Sequence, residues 1–150
     1  QGTTIEIRLP YAEKMQGSKK ENGVEIEKPI KILWVDDEPM IIKNGKKLIE
    51  ILGQKIDTAA SGLEALELLE TGSYDLMISD VGMPRMSGYQ LAENIKGKYP
   101  DMKIAIVTGW GDTISAEEKK ERGLGYVISK PIAIAEIKNL IREVAQMKKK

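Results

Sequence analysis

The sequence predicts an α/β fold, a doubly wound parallel sheet with helices on both faces. Three observations point there. Five short apolar runs alternate with five helical patterns from Ile30 onward. Strands apolar on both sides belong to sheets covered by helices on both faces. The roughly 120 residues after Pro29 are too few for an eight-fold βα barrel, which takes about 200 or more.

Each element has its own signal. Ile30–Val35 reads as the first strand, and Pro39 suits the first turn of a helix running to Leu52, with Gly53 as its stop. Lys55–Ala59 is a weaker strand. Ser61-Gly62-Leu63-Glu64 has the spacing of a capping box and opens a helix along Leu63, Leu66, Leu68 and Leu69. Leu76–Ser79 is the third strand, and Ser87 caps a helix reaching about Lys98. Ile104–Val107 is the fourth strand, Thr113–Arg122 a polar helix, Tyr126–Ser129 the fifth strand and Ile134–Met147 a closing amphipathic helix. Asp75, ahead of the third strand, reads as structural. The lysines 148–150 read as a solvated tail or a dipole partner at a helix C-terminus.

Residues 1–28 differ. Ile5, Ile7 and Leu9 alternate with Glu6 and Arg8 before Pro10, the period of a half-buried strand, and residues 17–23 form a polar, glycine-containing linker. The compact domain is expected to span 29–150.

Composition excludes much. The 150 residues contain no Cys and no His, so there is no disulfide, no thiolate or imidazole ligand and no phosphohistidine. Lys+Arg and Asp+Glu balance at 23 each, which argues against nucleic-acid binding. No apolar stretch approaches the about 20 residues of a membrane span, and no signal peptide is evident, so a cytoplasmic location without direct membrane contact is expected. Acid, base or metal chemistry must come from carboxylates, lysines, hydroxyls and backbone.

Ligands of open α/β sheets bind beyond the carboxyl ends of the strands, where strand order reverses. There the first strand ends in Asp36-Asp37-Glu38, the third in Asp80, the fourth in Thr108-Gly109 and the fifth in Lys130-Pro131. If the order is 2-1-3-4-5, the three aspartates converge on one crevice, with Thr108 and Lys130 opposite. Three close carboxylates repel one another, and oxygen donors without imidazole or thiol favour Mg²⁺. A carboxylate beside Mg²⁺, a hydroxyl and an ammonium is suited to phosphoryl transfer through an aspartyl-phosphate. Taken alone, Asp36-Asp37-Glu38 is more simply an acidic cluster at a helix N-terminus. Met83 and Met86 read as loop packing.

Together these motifs resemble a family. Val35-Asp36-Asp37-Glu38-Pro39, Asp80 with Met83-Pro84 and Met86-Ser87-Gly88, Val107-Thr108-Gly109 and Ser129-Lys130-Pro131 resemble the receiver domain of two-component signalling over roughly residues 29–148. The resemblance implies a flavodoxin-like (βα)5 sheet in the order 2-1-3-4-5. It implies Asp80 as phosphoacceptor, and Asp36, Asp37, Asp80 and the Gly82 carbonyl as a Mg²⁺ site. Thr108 and Lys130 would contact the phosphoryl group, before a cis Lys130–Pro131 bond. It further implies a two-state switch around Thr108 and the last two helices, self-catalysed phosphorylation and dephosphorylation, and a monomer or weak dimer. The donor would be a histidine kinase dimerisation domain or a histidine phosphotransfer domain, docked on the Ile41–Leu52 helix and the segment after Lys130.

One position departs from the pattern. Receivers often place Tyr or Phe three residues before the lysine; here that residue is Val127, and Tyr126 precedes it on the other face of the strand. Trp110 is placed to shield a phosphoryl group. The arm Gly2–Pro10 resembles the last strand of a histidine-kinase ATP-binding domain, which suggests the C-terminal receiver of a hybrid kinase whose parent chain can be membrane-attached, with no DNA-binding output domain following. A pseudo-receiver that docks partners without phosphorylation is the alternative. A haloacid-dehalogenase-like phosphatase would want a second aspartate where Gly82 stands, and no phosphate-binding glycine loop is present.

Overall fold

The computed structural model describes residues 29–109 and 114–149. The arm, the linker and Trp110 lie outside the described residues. In chain order the elements are β1 (Lys31–Val35), α1 (Pro39–Ile51), β2 (Lys55–Ala59), α2 (Gly62–Thr71), β3 (Leu76–Asp80), α3 (Gly88–Ile95), β4 (Lys103–Thr108), α4 (Ala116–Glu121), β5 (Tyr126–Ser129) and α5 (Ile134–Lys149). The five strands form one parallel sheet in the order β2-β1-β3-β4-β5, as the sequence predicts.

Burial follows position in the sheet. Every residue of β3 is buried, and β1 and β4 are buried beyond their first residues. The edge strands β2 and β5 carry the more mixed sequences KIDTA and YVIS. Side chains alternate across the sheet. Ile32 and Trp34 of β1 join Ile78, Ile49, Ile137, Ile141 and Val144 under α1 and α5. Leu33 and Val35 face the other way, joining Met77, Ala65, Leu69, Leu91, Ile95 and Ile106 under α2 and α3. Each fully buried Ile or Leu contributes about 1.5–3 kcal/mol.

Some boundaries differ from expectation. α3 ends at Ile95, because Lys96 turns to ψ 125 and Gly97 takes φ +81. α4 starts at Ala116 rather than Thr113, since Ser115 accepts the Glu118 N–H and Glu118 answers the Ser115 N–H. At α2, Ser61 accepts the Glu64 N–H at 3.1 Å, but the Glu64 carboxylate takes the N–H of Ala60 instead of closing the box.

Asp75 is structural, at the pole opposite the strand carboxyl ends. Its Oδ2 accepts the Lys31 N–H at 2.9 Å and the Lys148 ammonium at 3.1 Å. Lys148 is therefore an ion-pair partner rather than part of a free tail. That bond ties the last turn of α5 to the start of β1.

Trp34 replaces the missing Phe as the large core aromatic and is 2% exposed. α1 lies across its indole only because position 45 is glycine; a Cβ there would stand 2.8 Å from Trp34 Cε2. Gly→Ala in a helix interior ordinarily gains up to about 1 kcal/mol, whereas overpacking costs about 1–3 kcal/mol. Gly45→Ala is thus expected to destabilise the domain on balance, read as a lower urea midpoint by circular dichroism. A neutral or raised midpoint would show that Trp34 yields.

Candidate functional site

The parallel register levels the carboxyl ends of the strands. Val35 pairs with Ala59 and Ser79, Asp80 with Val107, and Thr108 with Ser129. The ladder runs one residue past these strands, since Asp36, Val81 and Lys130 donate their N–H groups to Ala59, Val107 and Thr108. Asp36, Asp80 and Thr108 are consequently buried while Lys130 stays 40% exposed at its side chain.

One oxygen each of Asp36, Asp37 and Asp80 lies within 4.8 Å of the others, the acidic convergence expected from the sequence. Lys130 Nζ is 2.7 Å from Asp80 Oδ1. Asp80 therefore sits between a cluster of negative charge and a single ammonium. Thr108 Oγ1 is wholly buried and has no hydrogen-bond partner among the described residues. Leaving a buried hydroxyl unpaired costs about 1–3 kcal/mol, so this atom marks a place where a ligand oxygen would be welcome.

Electrostatics follow from this crowding. Burial holds the Asp36 carboxyl above the usual carboxylate range, and Asp80 and Asp37 push it the same way. The Glu38 N–H at 2.9 Å and the Lys130 charge pull it back. The hydrogen bond to Asp80 raises the Lys130 ammonium above the ordinary lysine value. Burial opposes that shift, and the charges of Asp80, Asp36 and Glu38 reinforce it.

The loop after β3 forms the other wall. Gly82 is exposed beside Asp80; a Cβ on it would lie 3.8 Å from Asp80 Oδ2, leaving the approach open. Gly88 was legible only as part of a motif, and its physical reason lies in the packing. A Cβ there would be 2.3 Å from the Asp80 carbonyl oxygen, so α3 can seat its first turn against the end of β3 only with glycine. Ser87 caps that turn with a full capping box through Gln90. Met83 is buried and Met86 packs beside it on the α2–α3 core, which agrees with a packing role for both. The Lys130–Pro131 bond is cis. Val127 joins the α2–α3 side of the core, while Tyr126 lies on the α5 side and donates to Glu143 at 3.4 Å, so the two side chains do face opposite ways.

A five-stranded doubly wound sheet with an acidic pocket, a lysine and a buried hydroxyl at its carboxyl edge defines a receiver module of two-component signalling. The chain belongs to the response regulator receiver domain family, whose model matches residues 32–142. It is 28% identical over 97% of its length to the sensor kinase CckA of Brucella abortus. It is also 28% identical over 97% of its length to the sensor protein EvgS of Escherichia coli. It spans only 17% and 12% of those two proteins. To a probable transcriptional regulator of Cyanidium caldarium it is 34% identical over 75% of this chain and 45% of that protein. Among solved structures, a response regulator receiver domain from Clostridium thermocellum superposes with TM-score 0.73 at 35% identity, over 80% of this chain and 97% of that one. The receiver domain of a Syntrophus aciditrophicus histidine kinase does so with TM-score 0.70 at 28% identity, over 78% and 90%. No described helix is long and apolar enough to cross a membrane.

Because the folded value of Asp36 lies above its ordinary 3.8, its charge is a burden on the folded state that grows as pH rises from that ordinary value through the raised one. With chelator present, Asp36→Asn is expected to raise the urea midpoint at pH 7. It should also flatten the part of the pH dependence of the midpoint that comes from ionising this carboxyl above its ordinary value. A lower midpoint at pH 7 would contradict this account.

Proposed function

We propose that this receiver accepts a phosphoryl group on Asp80 from a phosphohistidine, with Mg²⁺ held by Asp36, Asp37 and Asp80. The observation that carries the reading is the position of Asp80, within 4.8 Å of two carboxylates on one side and 2.7 Å from Lys130 on the other. The donor set suits the ion. Three carboxylate oxygens within 4.8 Å of one another, with neither imidazole nor thiol beside them, are the hard donors that would hold a divalent cation of this kind. The exposed Gly82 carbonyl is the proposed further ligand. When bound, Mg²⁺ neutralises charge that develops on the phosphoryl oxygens.

The chain's own groups divide the remaining work. An Asp80 carboxylate oxygen forms the O–P bond as the P–N bond of the phosphoimidazole breaks, and the imidazole keeps the electron pair and takes up a proton. Lys130, charged throughout the physiological range, exchanges its contact with Asp80 for one with a phosphoryl oxygen. Thr108 Oγ1, unpartnered among the described residues, donates to another. In the dephosphorylation direction the same groups position water against the acyl phosphate.

The donor is proposed to be a histidine kinase dimerisation domain or a histidine phosphotransfer domain, which docks on α1 and the segment after Lys130. Residues 1–28 are proposed to be the residual strand and linker of an upstream kinase domain, with 29–150 as the receiver. The alignments support this. Those to the two sensor kinases cover 97% of the chain and so take in part of residues 1–28, whereas that to the Cyanidium regulator covers 75%. A cytoplasmic setting, with a parent kinase that can be anchored elsewhere, completes the reading.

Incubation with acetyl phosphate and Mg²⁺ should give one phosphoryl adduct by mass spectrometry, absent in Asp80→Asn and absent with chelator. An adduct that persists in Asp80→Asn overturns the assignment; a wild type that takes none favours the pseudo-receiver. Thr108→Ala should slow adduct formation by about 10²-fold, the lower end for loss of one preorganised donor.

Mg²⁺ alone should raise the melting temperature of wild type with the logarithm of its concentration, the linkage expected for a ligand of the folded state. Asp37→Asn, at an exposed position, should abolish that rise. An undiminished rise would remove Asp37 from the site.

A further inference from the structure

One helix is attached unlike the others. α4 buries none of its six residues. Its apolar anchors lie at its flanks, where half-buried Ile114 and buried Leu124 pack into the α2–α3 core. Its polar ties run to α3 and its C-cap. The Arg122 guanidinium lies over the Tyr89 ring, 4.3 Å from its centroid, and its Nη1 is 3.8 Å from Glu93 Oε2. Lys96 Nζ donates to the Glu121 carbonyl.

Tyr89 is also tied to the pocket through its neighbour in sequence. Gly88 seats the first turn of α3 directly on the Asp80 carbonyl, so a shift at the end of β3 moves Tyr89 with it. β5 offers no aromatic on this side, since Val127 faces the α2–α3 core and Tyr126 faces α5. Among the described residues, the ring that touches the C-cap of α4 is Tyr89 of α3.

We propose that Tyr89 and Arg122 form the latch that holds α4 in the unmodified domain, and that they carry the change at Asp80 to α4 where position 127 cannot. The second half rests on the phosphoacceptor reading; the first does not. A half-buried cation–π contact together with a surface ion pair shifts a local equilibrium by about three- to thirty-fold. The coupling runs through touching groups, and a double-mutant cycle measures it.

The test is hydrogen exchange at the amides of Lys119, Arg122, Gly123 and Leu124, whose bonds close α4 and its C-terminus. In the unmodified protein, Arg122→Ala should speed exchange there about three- to thirty-fold and Tyr89→Leu, which loses only the ring contact, about two- to five-fold, with β1 and β3 amides unchanged. The double variant should not exceed Arg122→Ala, which already loses both the ring contact and the Glu93 pair. Arg122→Lys, which keeps the charge and loses the planar stack, should fall between. Unchanged exchange in Arg122→Ala, or additive effects in the double variant, overturns the latch.

In samples whose acetyl phosphate adduct is confirmed by mass, wild-type α4 exchange should rise toward that of Arg122→Ala, and Arg122→Ala itself should change little. Adduct without that rise overturns the transmitting role. Absence of any wild-type adduct overturns the phosphoacceptor reading and with it the transmission, and the latch then stands or falls on the unmodified protein.

Discussion

The structure turns on like charges held together against their repulsion. Asp36 and Asp80 leave neighbouring parallel strands at the same level, and Asp37 adds a third carboxylate at the rim. Nothing in the local sequence favours that crowding. It is imposed by apolar burial elsewhere, through β1 and β3, whose inward residues are the best buried in the molecule. The energy of the core is thus partly stored as electrostatic tension at one edge, relieved in part by Lys130 and by the Glu38 N–H. A site built this way is preorganised for a cation and for a developing anion because its groups cannot relax apart.

Most of this was legible in the sequence because the signals were redundant. Strand identity and the residues at each strand's carboxyl end follow from apolar runs of the right length and from polar residues placed where the runs stop, while the strand order comes with the family resemblance. Asp36, Asp80, Thr108 and Lys130 could be found by that rule alone. Boundaries were less legible where the deciding interaction is between side chain and backbone. The Ser115–Glu118 box that starts α4 lies inside a longer polar stretch whose pattern alone does not mark the boundary. The end of α3 depends on a dihedral change at Lys96.

Other features had no sequence signal because they depend on tertiary approach. Gly45 looks like an ordinary helix glycine until the Trp34 indole is set against it, and the reason for Gly88, a motif residue, shows only against the Asp80 carbonyl. Lys148 looks like part of a basic tail until Asp75 is brought 3.1 Å from it. The contact between Arg122 and Tyr89 joins residues on separate helices. Sequence periodicity describes single elements, and these contacts lie between elements.

Asp75 has a geometric consequence of its own. A single carboxylate oxygen receives both the backbone of Lys31 and the side chain of Lys148, so the two ends of the described domain meet at one point. That point lies a full strand length from Asp80, about 17 Å for five residues. A body joined at either end would hang from the blunt pole, with the pocket facing outward. The domain is shaped like a plug with both leads at its base, and it can be wired between other modules without any of them standing in front of its contact.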